Sequence, residues 1–447
     1  MKRFILVLFS LIVAATVFAG GGRQSQGAAG RVEEVFLFSS VGAYQRLLEQ
    51  EVQKWNEGEG ASIGVRIRME TNIDTYGPVL QSMLQAGTVP DLFDTYADLE
   101  IIAAGYTKNL YEVPELADLV ERFKPYLVQG INFHGNNLVA LPLEILPMKM
   151  VYNKEIFAKA GIAAPPKTWT ELVDIAKRIT DAGKGEFYGF GWTTLWTYSF
   201  RRLGMEANVH NTGASFFNTN NGTYDFRPFK PAIEAVAQMY RDGSLFPTPM
   251  DQHIDPIRNR FAEGRVGMEV APAYDISVYN TQFPCNFDWG VFDVPTFQPG
   301  AAPYKGMALN RANVSISSRV SSQRMAAVAA AFRFLHSEYL YGKLYANSAI
   351  IPHEPGIIAS TRMENALRNW DVMSDTTNFL PALPDPTNLL NLEGDDMHVT
   401  FERIMLGRST FDAEVDALNR RYNEAYQRAK AQGVVDSRIF EFPFSFR

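Results

Sequence analysis

Leu141 to Thr180 constrain this 447-residue chain more than any other stretch. They read LPLEILPMKMVYNKEIFAKAGIAAPPKTWTELVDIAKRIT. The pattern is an apolar strand from Ile145 to Tyr152, a short helix from Lys154 to Ala160, a proline turn and a longer helix. Pro165-Pro166 cannot continue a helix, because proline lacks the N–H and biases the residue before it toward extended backbone. Thr168 then offers a hydroxyl cap, and Glu171 stands at the three-residue spacing of a capping box. Leu172, Ile175, Ala176 and Ile179 recur at helical spacing and give that helix one apolar face. The stretch reads as a crossing point where the chain leaves one compact unit and starts another. A chain of this length exceeds a single core, so two domains are expected.

The segment before the crossing alternates strand and helix. Arg31 to Ser40 and Gly64 to Glu70 read as strands, the second with Val65, Ile67 and Met69 at a period of two. Ala43 to Asn56 and Tyr76 to Ala86 read as helices, and Pro90 to Asp94 as a third strand. This order predicts a parallel α/β sheet. In open sheets of that kind, ligands sit outside the carboxyl ends of the strands. That rule points to Ser39 and Ser40, and to Asp94 through Tyr96.

Beyond the crossing, strands are expected at 187–192, 266–270, 288–294 and 314–317. Helices are expected at 230–242, 257–263, 322–335, 340–347, 397–405 and 410–431, with 208–226 loop-rich around Asn220-Asn221-Gly222. Residues 371–392 are rich in proline and asparagine, and the tail from Phe440 to Phe446 is aromatic. At the other end, Lys2-Arg3, the apolar run Phe4 to Ala15 and Val17-Phe18-Ala19 have the layout of a cleavable secretory signal over 1–19. Residues 20–30 then read as a flexible leader. Gly20 stands where a lipoprotein needs cysteine, so no lipid anchor is expected.

Charge and cysteine content narrow the function. The chain has 42 Lys+Arg against 49 Asp+Glu, a net −7, and no basic stripe, which argues against nucleic acid. Cys285 is the single cysteine, so it reads as a small buried hydrophobe. The six histidines show no ligand spacing, so neither a metal site nor a cofactor is expected.

The segment VYNKEIFAKAGIAAPPKTWTELVDIAKRIT resembles the "YYNKDLFEKAGL…PPKTWDELLEAAKKLT" segment of the family 1 extracellular solute-binding proteins. These are the substrate-capturing subunits of ABC importers and include the maltose-binding proteins. VPDLFD at 89–94, FAEGRVGMEVAPAYDI at 261–276, the run NVSISS to AIIP at 313–352 and MLGRSTFDAEVDALNRRYNEAY at 405–426 resemble further family segments, in family order. The resemblance implies an α/β, two-lobed periplasmic binding protein fold with discontinuous lobes and a hinge, of the type II, maltose-binding-like kind. Residues 31–145 and 316–375 would form lobe I, and 146–315 and 376–447 lobe II. It also implies a periplasmic, monomeric protein that captures a small molecule, a sugar or oligosaccharide, in the cleft and passes it to the permease. Contacts made to both lobes only in a closed form would shift the hinge equilibrium.

Trp192 and Trp196 lie in GFGWTTLWTYSF, where the resemblance places a cleft aromatic; a tryptophan face suits the C–H face of a sugar ring. Their spacing of four is also that of a core stripe. Tyr274 falls at the family's aromatic position, and Asp275 beside it could read hydroxyls, cap a helix or form a salt bridge. Asp94 and Tyr96 follow a strand end, where an ordinary turn is the alternative. Glu144, inside the apolar run LPLEILPM, would be costly unless paired or bonded, so both ligand contact and a hinge salt bridge fit. Ser39, Ser40, Asn310 and Arg311 complete the candidates. Two other functions stay open: a carrier of a non-sugar solute such as a polyamine, which needs several cleft carboxylates, and a secreted carbohydrate hydrolase using Asp94 and Glu144 as acid and base. No nucleophile, phosphate-loop or zinc motif supports the latter.

Overall fold

The computed structural model describes residues 32–444 apart from 43, 73–74, 96–100, 103, 196–198, 202–206, 213–214 and 301–303. The signal and leader, Tyr96 and Trp196 therefore lie outside the described residues.

The first half follows the alternation in the sequence. β1 (Glu33–Ser39), α1 (Gln45–Glu57), β2 (Val65–Thr71), α2 (Tyr76–Ala86) and β3 (Leu92–Asp94) follow one another, and β1 pairs in parallel with both β2 and β3. The crossing is β4 (Leu141–Asn153), which at thirteen residues reaches about 40 Å. After it come α3 (Trp169–Gly183), β5 (Tyr188–Phe190), α4 (Lys230–Arg241), β6 (Val266–Pro272) and β7 (Trp289–Phe292). β8 (Gly306–Ile316) and α5 (Ser322–Leu335) return the chain to its starting half. α6 (Trp370–Ser374) and β9 (Phe379–Pro381) then lead to α7 (Met397–Met405) and α8 (Phe411–Ala431).

The main sheet has nine strands in the order β2-β1-β3-β8-β4-β6-β5, with β7 paired to β4 and β9 to β8. β4 is shared along its length. Leu141 to Pro147 pair antiparallel with β8, and Met148 to Tyr152 pair antiparallel with β6. One apolar core gathers β1, β2, α1 and α5 with the start of β4 and the end of β8. A second gathers the end of β4 with α3, α4, α7 and α8. A smaller cluster joins Leu146 and Val151 of β4 to Trp289, Tyr345, Ile351, Trp370 and Met373 where the two meet.

Lys149 fixes a further passage between the halves. It is 1% exposed, and its Nζ donates to the carbonyls of Val372 at 2.6 Å and Asp375 at 2.8 Å, with Asp293 at 3.2 Å. Burial alone would strip this ammonium of its charge more easily; two carbonyls and a carboxylate hold it, and with it α6, against β4. Cys285 is buried, and burial pushes its thiol up to about 12.

The capping box at α3 is present in both directions: Thr168 Oγ1 accepts from Glu171 N at 3.2 Å, and Glu171 Oε2 accepts from Thr168 N at 3.3 Å. Thr168→Ala removes the first of these and is expected to cost about 1 kcal/mol in urea unfolding, with Thr168→Ser retaining most of the stability.

Two long strands differ from the sequence expectation. β4 starts at Leu141 rather than Ile145, and β8 at Gly306 rather than Val314. Residues 306–313 (GMALNRAN) have no alternation of their own and become strand by pairing with β4, whose prolines, Pro142 and Pro147, lie opposite Asn313 and Ala308. Likewise the loop-rich 208–226 contains a small hairpin, Phe217–Asn218 with Thr223–Tyr224, turning at Asn220-Asn221-Gly222. The proline- and asparagine-rich segment 371–392 contributes most of α6 and all of β9.

Candidate functional site

The register of β4 on β8 sets Glu144 directly opposite Arg311. Arg311 Nη1 donates to Glu144 Oε1 at 3.1 Å, and the Glu144 side chain is only 5% exposed. The next residue, Ala312, is buried with φ at +50°, a left-handed conformation that disfavours any side chain. This kink lies between Arg311 and the regular pairing that resumes at Asn313 and Val314.

Asp94, at the end of β3, is 1% exposed. Its Oδ2 accepts from Ser39 Oγ at 2.9 Å, Ser40 N at 2.6 Å and Ser40 Oγ at 2.7 Å. Burial pushes the Asp94 carboxyl up, and the Ser40 and Ser39 donors and the Arg311 charge oppose this. Glu144 is likewise pushed up by burial; Arg311 pulls it back and the Asp94 charge adds to the rise. One guanidinium thus serves two buried carboxyls.

Tyr274 follows β6. The guanidinium carbons of Arg311 and Arg258 each lie 5.4 Å from its ring centroid, a cation–π contact on both counts. Arg258 Nη2 also meets Asp275 Oδ1 at 2.7 Å, with the Asp275 side chain 2% exposed. Arg311 therefore links Glu144 on one crossing strand to an aromatic ring on the other half of the molecule.

These groups border a cavity of about 340 Å³ between the two halves. Tyr44, Arg46 and Gln50 line it from α1 and its cap, Tyr274, Ser277 and Thr281 from the segment after β6, and Trp370 from α6. Glu144 and Arg311 line it from the crossing strands. The wall offers aromatic faces, hydroxyls, amides and charges within reach of one small polar molecule.

Of the residues singled out in the sequence, the cavity brings together Glu144, Tyr274 and Arg311. Ser39, Ser40 and Asp94 form the buried cluster whose charge reaches Arg311. Asp275 is engaged by Arg258 behind Tyr274. Asn310 lies in a separate network: its Nδ2 donates to Tyr126 O at 3.2 Å and Asn132 Oδ1 at 3.1 Å, and its Oδ1 meets His353 Nε2 at 3.1 Å. Trp192 is 6% exposed among Phe190 and Phe200, in the core of the second half rather than on the cavity wall.

Tyr44, Arg46 and Trp370 line the cavity without having been singled out. The rule about strand carboxyl ends points to Ser39 and Ser40, and Tyr44 to Gln50 are simply the next residues along. Trp370 had a weaker signal, a lone tryptophan in a polar, asparagine-containing stretch.

With this geometry in hand, the chain can be set beside known proteins. Residues 52–365 match the family described as bacterial extracellular solute-binding protein. A binding protein of Brucella abortus is 24% identical over 355 residues, covering 74% of this chain and 80% of its own length. The diacetylchitobiose binding protein DasA of Streptomyces coelicolor is 22% identical over 371 residues, covering 81% of this chain and 79% of its own. The sugar-binding protein MalE from Xanthomonas citri superposes with a TM-score of 0.71 at 14% identity, over 90% of this chain and all (100%) of that one. The fold is thus the two-lobed α/β architecture of the maltose-binding-like proteins, with each lobe assembled from separate stretches of chain.

Proposed function

The chain belongs to the bacterial extracellular solute-binding protein family, and we propose that it captures a sugar or oligosaccharide for an ABC importer. The observation that carries this reading is the convergence of Tyr274 and Trp370 with Glu144 and Arg311 on one cavity between the lobes. Aromatic rings suit the apolar faces of a pyranose, and each sugar hydroxyl both donates and accepts, so the charged and amide groups of the wall can satisfy it. A micromolar complex needs about 8 kcal/mol net, which two aromatic contacts and a few satisfied polar pairs can supply.

In this reading the lobes comprise 31–145 with 316–375 and 146–315 with 376–447, and β4, β8 and the segment through α6 form the hinge. The protein works outside the cytoplasm as a monomer, its secretory signal cleaved and no lipid attached. Its partners are the ligand and the permease subunits of the importer. No catalytic role is proposed. Asp94 is engaged by Ser39 and Ser40 and Glu144 by Arg311, an arrangement for holding rather than for proton transfer. Ser39, Ser40, Asp94 and Asp275 are assigned to support Arg311 and Tyr274.

The test is a titration of mono- and oligosaccharides followed by tryptophan emission and calorimetry. Saturable binding in the micromolar range is the expected result, and Tyr274→Ala is expected to weaken it about tenfold, or ~1.4 kcal/mol, through loss of a ring contact. A panel of neutral and acidic carbohydrates that produces no response at all would overturn the reading.

A further inference from the structure

Resting on the reading above, we infer that the natural ligand is an acidic carbohydrate whose anionic group pairs with Arg46. The charged residues lining the cavity are Arg46, Glu144 and Arg311. Glu144 and Arg311 form a close cross-strand ion pair, so together they bring no net charge. Arg46 is the surplus. Among the described residues it makes no ion pair or hydrogen bond, although the chain as a whole is acidic at net −7.

A second observation is independent of Arg46. Trp370 lines the same cavity, is only 4% exposed, and its Nε1–H has no acceptor among the described residues. A buried donor without an acceptor is costly unless something fills the place. An indole N–H and a guanidinium both call for acceptor atoms, and the one carboxylate on the wall is already engaged by Arg311. Gln50 stands four residues after Arg46 on α1, so the helix turns both side chains toward the cavity. The guanidinium fork matches a carboxylate or a phosphate, whose two oxygens accept parallel hydrogen bonds. The same balance argues against a polyamine, for which the wall holds a surplus cation and no free carboxylate.

The experiment is calorimetric titration of the full mature chain with matched pairs: galacturonate oligomers against galactose oligomers, and glucose 6-phosphate against glucose. The acidic member of one pair is expected to bind at least tenfold tighter in low salt, with the gap narrowing at high salt as the charge is screened. Which pair responds tells a carboxylate from a phosphate. Arg46→Gln is expected to lower affinity for that acidic member about tenfold and close most of the gap, whereas Arg46→Lys keeps part of it. Circular dichroism checks that both variants are folded. Neutral members binding as tightly as acidic ones, or Arg46→Gln weakening both equally, overturns this inference and leaves the sugar-binding reading standing. Failure of every carbohydrate overturns both.

Discussion

Arg311→Met is expected to destabilise the protein by about 3–5 kcal/mol in urea unfolding at pH 7.5, because removing one partner of a buried pair leaves the other uncompensated. Here the consequence is doubled. Arg311 is hydrogen-bonded to Glu144 and its charge also lowers Asp94, while the Asp94 charge already raises Glu144. The pH dependence has a definite sign. Burial holds both carboxyls above their ordinary range in the folded state, so the folded chain binds protons more readily than the unfolded one. Stability on this account rises as pH falls toward the unfolded carboxylate values. The deficit of Arg311→Met should therefore be largest at pH 7.5 and shrink toward pH 5. The pair Arg311→Met with Glu144→Leu is expected to recover much of the loss, since two apolar groups replace two charges. A deficit that is small at pH 7.5, or that grows on acidification, would show that Arg311 does not neutralise this cluster.

The second large effect is at Gly189→Ala. A Cβ built on Gly189 would stand 2.1 Å from the carbonyl oxygen of Ala176 and 2.3 Å from its Cα, both backbone atoms of α3. No rotamer change can relieve that, so β5 and α3 must separate. Thr180 holds the two together, accepting from Gly189 N at 2.9 Å and donating to Ala176 O at 2.9 Å. Overpacking of about 1–3 kcal/mol plus the loss of about 1 kcal/mol of hydrogen bonding gives an expected cost of about 3 kcal/mol or more. Gly77→Ala in the first turn of α2 is the control, because a Cβ there meets nothing within 4 Å. It is expected to be neutral or to stabilise by up to about 1 kcal/mol. Melting curves of the two variants compare them directly; equal behaviour would refute the close-packing account of Gly189.

Several elements were legible because their signal is local. α3 shows its cap at Thr168, its apolar face and its proline-bounded start within twenty residues of sequence. α2, α5 and α7 coincide with their expected spans for the same reason. β8 was legible only at its end, since Gly306 to Asn313 have no alternation to read and acquire strand geometry from β4. Among tryptophans, sequence could not choose: Trp192 and Trp370 are both aromatic in mixed surroundings, yet one packs against Phe190 and Phe200 and the other borders the cavity.

The sequence by itself determined the α/β alternation, the capped helix after the crossing, the family, and a short set of polar and aromatic candidates. Tertiary structure alone decided which of these meet. Glu144 and Arg311 are 167 residues apart, and Tyr274 reaches Arg311 only because β4 carries both halves on one sheet. Hydrophobic periodicity specifies which face of an element is buried, over spacings of two to four residues. It does not specify which strand lies alongside, or in what register. Register is fixed by the packing of whole elements, and in this chain the register of β4 on β8 is what puts a carboxylate opposite a guanidinium at the junction of the lobes.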